Sequence, residues 1–217
     1  MFIGHYGVAL AAKKIEPQLS LGWLFVASQV VDILWTMFVL AGIEKVEIHP
    51  GHTAASPLNF VSYPYTHSLL MAVVWSAVVY GIARFVWNAR VALILGAVAL
   101  SHWFLDVPVH IPDLPLAFGD SPMVGLGLWN SKIGTVALEC AFLLGGLWIY
   151  MKSTKPNGNL GKWGMLVFCL FLLGTFALTT FSGEAPPSTT ALAGMGLMMY
   201  VVFSLVAAWL DRKRVAA

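Results

Sequence analysis

Six blocks of nearly unbroken apolar residues, at 21–41, 68–87, 91–108, 131–151, 163–182 and 190–210, divide the chain. Each is close to the ~20 residues that cross ~30 Å of hydrocarbon as a helix. A helix also pairs every backbone N–H and C=O within itself, as lipid requires. The connections are punctuated by turn formers. Residues 42–66 hold Gly42, Pro50, Gly51, Pro57 and Pro64, and residues 109–130 hold Pro112, Pro115, Gly119, Pro122 and Gly125. Pro156, Asn157 and Gly158 mark the next connection, and Gly183, Pro186 and Pro187 the last. There is no internal repeat and no low-complexity tract. The pattern predicts an all-α polytopic membrane protein of about six transmembrane helices. It forms one membrane domain over 1–217, with candidate metal-site helices in 1–151 and two further packing helices in 152–217.

Residues 2–14 break the pattern. They are apolar but too short to span, and they are rich in small residues: Gly4, Gly7, Ala9, Ala11 and Ala12. Gly7 and Ala11 form a small-xxx-small pair of the kind that lets helices approach closely. The segment reads as an N-terminal half-helix that starts inside the bundle and leaves it at Lys13 and Lys14, rather than as an anchor lying flat on the membrane.

Composition agrees with a membrane chain. Hydrophobic types make up 59% of the residues and charged types 10%, and the mean hydropathy is +0.81. A soluble domain carries about 25% charged residues. A net charge of +2 gives no electrostatic footprint for nucleic acid. Cys140 and Cys169 lie in apolar blocks and read as small hydrophobes. Lys13, Lys14, Arg84, Arg90, Lys152, Lys155, Lys162, Arg212, Lys213 and Arg214 fall in one set of connections, and only Lys45 and Lys132 in the other. This bias predicts both termini in the cytoplasm.

The chemistry lies in ionisable residues within the spans, which are costly there and point to function. Asp32, with Gln29 a turn earlier, is in the first span. His102 and Asp106 share a face of the third at i and i+4. Glu139 is in the fourth, His67 opens the second, and His5 is in the half-helix. At 1.5 Å per residue, their depths fall between roughly 14 and 25 Å from the cytoplasmic boundary. Five segments thus deliver imidazoles and carboxylates to one layer. That donor set, without thiolate, suits Zn, Mn or Fe. No Lys or Arg lies at that depth, so a divalent cation is the simplest counter-charge. Blander readings exist: Thr66 could cap the second span with His67 beside it, Asp32 with Gln29 could make a helix–helix hydrogen bond, and Glu139 could pair with Lys132 or stay protonated. His49, His52 and His110 sit beside prolines in the long loops and read as surface residues, with His110 the first candidate for an exception.

The order Gly4-His5, Asp32, Thr66-His67-Ser68-Leu69-Leu70 and Ser101-His102-x-x-x-Asp106 resembles bacterial inner-membrane proteins described as membrane-bound metal-dependent hydrolases, which are similar to zinc-dependent phospholipase C. The resemblance spans residues 3–110 and implies metal ligation by His5, Asp32, His67, His102 and Asp106. The Pro-Asp-x-Asp-His element common in that family is replaced by Val31-Asp32-Ile33-Leu34-Trp35. Glu139 or the Trp129-Asn130-Ser131 element could compensate.

The expectation is a hydrolase of the inner membrane. It would hold a divalent metal, Zn first and Mn or Fe as alternatives, on His5, Asp32, His67, His102, Asp106 and Glu139. Asp106 or Glu139 would be the catalytic base, and the partners would be membrane lipids and a lipid or lipid-linked substrate near the outer leaflet. A transporter using the same groups, or a scaffold with a structural metal, are the alternatives. There are no clustered His-x-x-x-His boxes, no Gly-x-Ser-x-Gly elbow, and Gly96 stands where phosphatidic-acid-type phosphatases carry arginine.

Overall fold

A computed structural model describes residues 1–216. Six helices are long and apolar enough to cross a membrane: α2 (Leu21–Leu40), α4 (Leu69–Val86), α5 (Ala89–Asp106), α6 (Lys132–Ser153), α7 (Gly158–Ser182) and α8 (Thr189–Asp211). Two short helices accompany them, α1 (Gly4–Ala12) and α3 (Pro64–His67). Five of the long helices start at a serine or asparagine whose side chain accepts a backbone N–H of the first turn: Ser20, Ser68, Asn88, Ser131 and Ser188. Those side chains satisfy donors that have no partner inside the helix. Ser68, not Thr66, caps α4. The second span therefore begins after a break, and His67 closes the separate turn α3.

The half-helix α1 is buried among α2, α5 and α6, with His5, Tyr6, Gly7, Ala9 and Leu10 inaccessible, so it does not lie on a surface. Gly7 makes the close approach expected of it, and the helix that approaches is α6, at Gly146. A Cβ on Gly7 would collide with the carbonyl of Phe142, and one on Gly146 with the carbonyl of Gly7. Ala11 is half-buried. The small residues therefore serve the crossing of α1 and α6, where backbones touch.

The two long connections are more ordered than their turn residues suggest. Residues 42–66 form the antiparallel pair β1 (Lys45–Ile48) and β2 (Leu58–Ser62). In 109–130, β3 (Leu114–Pro115) pairs with β4 (Met123–Val124). Four backbone bonds then lay Leu126, Gly127, Leu128 and Trp129 against Val107, His110, Pro108 and Val109. Gly125 lies so close to Ile111 that a side chain would strike its carbonyl. At the opposite end, β5 (Thr154–Pro156) pairs with β6 (Arg214–Ala216).

The charges at that opposite end are not all solvated. Lys13 donates to Asp211 at 2.6 Å, and Asp211 also accepts from Tyr150 Oη and the Leu21 amide. Arg214 is buried against Thr154 and the Gly161 carbonyl. Between this clasp and the polar residues nearer the other end lies an apolar layer that includes Leu10, Leu24, Phe25, Leu143 and Leu147, each at most 5% exposed. By contrast, α4 buries only Ala72 and Ala83 and shows its apolar faces outward, as lipid-facing helices do.

Candidate functional site

The end of the bundle away from the clasp gathers five of the six expected residues. The donor atoms of Asp32, His67 and His102 lie within 4.8 Å of one another, and so do those of His5, His102 and Asp106. His102 belongs to both groups. All five residues are at most 9% exposed. The i, i+4 spacing on α5 sets His102 Nε2 3.3 Å from Asp106 Oδ2, and α2 brings Asp32 Oδ1 to 3.6 Å from the same nitrogen. α3 delivers His67 Nε2 to 3.3 Å from Asp32 Oδ1 and 4.0 Å from Asp106 Oδ2. From α1, His5 Nε2 reaches Asp106 Oδ1 at 3.2 Å, and the His5 and His102 rings stack with centroids 3.8 Å apart.

Proton positions follow from the partners. His102 Nδ1 meets the Ser28 carbonyl at 2.8 Å. A carbonyl only accepts, so Nδ1 carries the hydrogen. The other nitrogen, Nε2, is buried without a hydrogen-bond partner, and His5 Nδ1 is likewise unpartnered. In its neutral form His102 therefore turns a bare lone pair toward two carboxylates. Lone pair facing anion is unfavourable unless a proton or a metal lies between them.

Glu139 lies beside this cluster rather than in either triad. Its Oε1 accepts the Phe2 amide at 2.7 Å and its Oε2 the Gly4 amide at 2.6 Å. It thereby takes up orphan donors at the start of α1. Among the described residues Lys132 donates to the Phe181 carbonyl and forms no ion pair with Glu139. Gln29 donates to the Phe2 carbonyl at 3.1 Å, linking α2 to the start of α1. Both α2 and α6 thus hold the beginning of the chain in place. The Met1 nitrogen also contacts Asp106.

His49 is exposed beside Glu47, and His52 is half-buried near it. His110 is the exception: it is 2% exposed and not a surface residue. Its Nδ1 lies 2.9 Å from Asp113 Oδ1, and Trp129 packs on its ring at 4.0 Å between centroids. Burial pushes its imidazole below the ordinary histidine value, against the pull of Asp113. A signal existed in the sequence, since His110 continues the four-residue step of His102 and Asp106 beyond the end of α5.

Sequence reasoning also passed over Glu44. Gly42, at φ +71°, ends α2, and the turn after it sends Glu44 inward, where it is 3% exposed. Its Oε1 accepts the Tyr65 and Thr66 amides at 2.8 and 3.0 Å, and its Oε2 accepts the Thr66 hydroxyl at 2.7 Å. Pro64 occupies the first position of α3, so those amides are the first orphan donors of that turn. Burial raises the Glu44 carboxyl above its ordinary value, with the bonds from Thr66 and Tyr65 opposing it.

A cavity of ≈ 470 Å³ opens onto the cluster. Asp32, His67, Asp106 and Glu139 form its polar floor, and His110 and Trp129 part of one wall. α7 and α8 also line it, through residues that include Phe176, Thr179, Thr180, Leu192, Met195 and Met199. The last two spans therefore do more than pack against the others.

The model of the YdjM inner membrane protein family matches residues 1–210 of this chain. No curated protein and no solved structure matches it.

Proposed function

This chain belongs to the YdjM inner membrane protein family, and on that premise we propose that it is a membrane-embedded, metal-dependent hydrolase of a lipid or lipid-linked ester. The observation that carries the reading is His102. Its Nδ1 is held by Ser28 and its unpartnered Nε2 faces Asp32 and Asp106. A divalent cation satisfies all three groups at once. The donor set of imidazole and carboxylate suits Zn, with Mn or Fe as alternatives. His5, Asp32, His67, His102 and Asp106 would hold it. When bound, such a cation lowers the pKa of a coordinated water and polarises a phosphoryl or acyl oxygen.

The remaining roles fall to the chain's own residues. Glu139 and His110 line the same cavity, and either can take a proton there. Glu139 is the closer to the cluster through its hold on Phe2 and Gly4, and His110 is oriented by Asp113. The cavity lining combines Phe176, Leu192, Met195 and Met199 with the buried acids and imidazoles, which suits a molecule with a long apolar part and a polar group to be cleaved. The basic-residue bias supports placing this end at the outer leaflet. The apolar layer beneath the cluster counts against a transport path, because a proton or cation route needs polar groups in both halves.

Protein reconstituted in vesicles of phosphatidylethanolamine and phosphatidylglycerol tests the reaction, with products followed by mass spectrometry. Hydrolysis should stop with a chelator, return with Zn²⁺ and fall more than about 100-fold in His102→Ala. Chelator-insensitive hydrolysis, or none of these or of lipid-linked phosphates, would count against the reading.

A further inference from the structure

Glu44 is a buried acid in a loop, outside the cluster, and the reaction proposed above does not use it. It is joined to the cluster by one side chain. Thr66, fully buried, donates its only hydroxyl hydrogen to Glu44 Oε2 at 2.7 Å, and its own Oγ1 lies 2.8 Å from His67 Nδ1. A hydroxyl has one proton to give. Once that proton points at Glu44, Thr66 Oγ1 can only accept, so the hydrogen of His67 must sit on Nδ1. His67 Nε2 is then a bare lone pair, 3.3 Å from Asp32 Oδ1. Run the other way, the chain of bonds would put the hydrogen on Nε2, where it would bind Asp32 and shut a cation out.

From this we infer that Glu44, acting through Thr66, is a positioning residue that fixes the tautomer of His67 and so makes it a cation ligand. The inference rests on the reading of the cluster as a metal site. Three donors converge on the Glu44 carboxylate, and their count favours its ionised, accepting form. His102 is fixed the same way by a different group, the Ser28 carbonyl. The two imidazoles are thus turned toward Asp32 by separate acceptors, the Ser28 carbonyl on α2 and Thr66 Oγ1 on α3, the latter set by Glu44. Partners of this kind orient ligating histidines and raise their basicity.

Glu44→Gln separates the roles because it keeps the shape. The Tyr65 and Thr66 amides require the carboxamide oxygen, which leaves the NH₂ facing Thr66 Oγ1. That group donates, so Thr66 must turn its own hydrogen to His67 Nδ1, and His67 Nε2 becomes the N–H. Zn²⁺ affinity of the purified full-length protein, measured by competition with a chromophoric chelator, should weaken about 10- to 100-fold in Glu44→Gln and Thr66→Val. Thr66→Ser, which keeps the hydroxyl, should bind as the wild type does. The Co²⁺-loaded protein should show a changed ligand-field spectrum in the first two variants only. In a His67→Ala background, Glu44→Gln should cost nothing further, whereas a role confined to loop stability would persist there. Wild-type affinity and spectrum in Glu44→Gln would overturn the positioning role and leave the metal site standing. A wild-type protein that binds neither Zn²⁺ nor Co²⁺ would overturn both.

Discussion

Several side chains at this site are explained by what they can donate and accept. Glu139 is the plainest case. Its depth in α6 marked it as a ligand or base, yet both its oxygens are engaged by amides at the start of α1. A carboxylate is suited to that position because it has no hydrogen to offer, while a carboxamide must turn an NH₂ toward one of two N–H groups. Glu139→Gln should therefore loosen the α1 start as well as reduce activity, with a stability loss of about 1–3 kcal/mol for the donor left unsatisfied. Thermal unfolding in detergent checks it: an unchanged midpoint would mean the two bonds contribute nothing. His5, Asp32, His67, His102 and Asp106 were legible because charge within a span is rare enough to notice. Glu44 was not, since acids in loops are ordinary, and His110 was marked only by its place directly after the third span. Only the turn after Gly42 and the backbone bonds between 107–110 and 126–129 carry them inward.

At the scale of elements, the six spans were readable from apolar block length alone, and the structure places helices within a few residues of each. The half-helix was readable as buried from its glycines, but its partner was not. Spacing within one segment marked Gly7 and Ala11 as positions that admit a second helix, but it could not name Gly146, far along the chain, whose backbone meets that of Gly7. The short strand pairs had no legible signal, being two to five residues long and rich in turn formers. Gly7→Leu has no room against the Phe142 carbonyl, so α1 must shift away from α6. Overpacking of this kind costs about 1–3 kcal/mol. Because α1 carries His5, the variant should lose metal affinity along with stability. Retained affinity in a destabilised Gly7→Leu protein would show that His5 contributes little to binding.

The whole molecule is organised as two buried polar layers separated by an apolar one. The clasp of Lys13, Asp211 and Tyr150 ties the exit of α1 to α2, α6 and α8. The cluster lies at the other end, under the loops and beside the cavity between the first spans and α7–α8. That the loops would fold over the cluster, and that the last two helices would line its cavity, depends on packing between distant segments and has no local trace. The central claim is that the cluster holds a divalent cation. The direct measurement is the metal content of the detergent-purified protein by mass spectrometry, with variants in parallel. The account predicts at least one zinc, manganese or iron per wild-type chain, lost in His102→Ala and Asp106→Ala and retained in His49→Ala and His52→Ala. A wild-type protein without bound metal after exposure to Zn²⁺, Mn²⁺ and Fe²⁺, or equal loss from His49→Ala and His102→Ala, would contradict it.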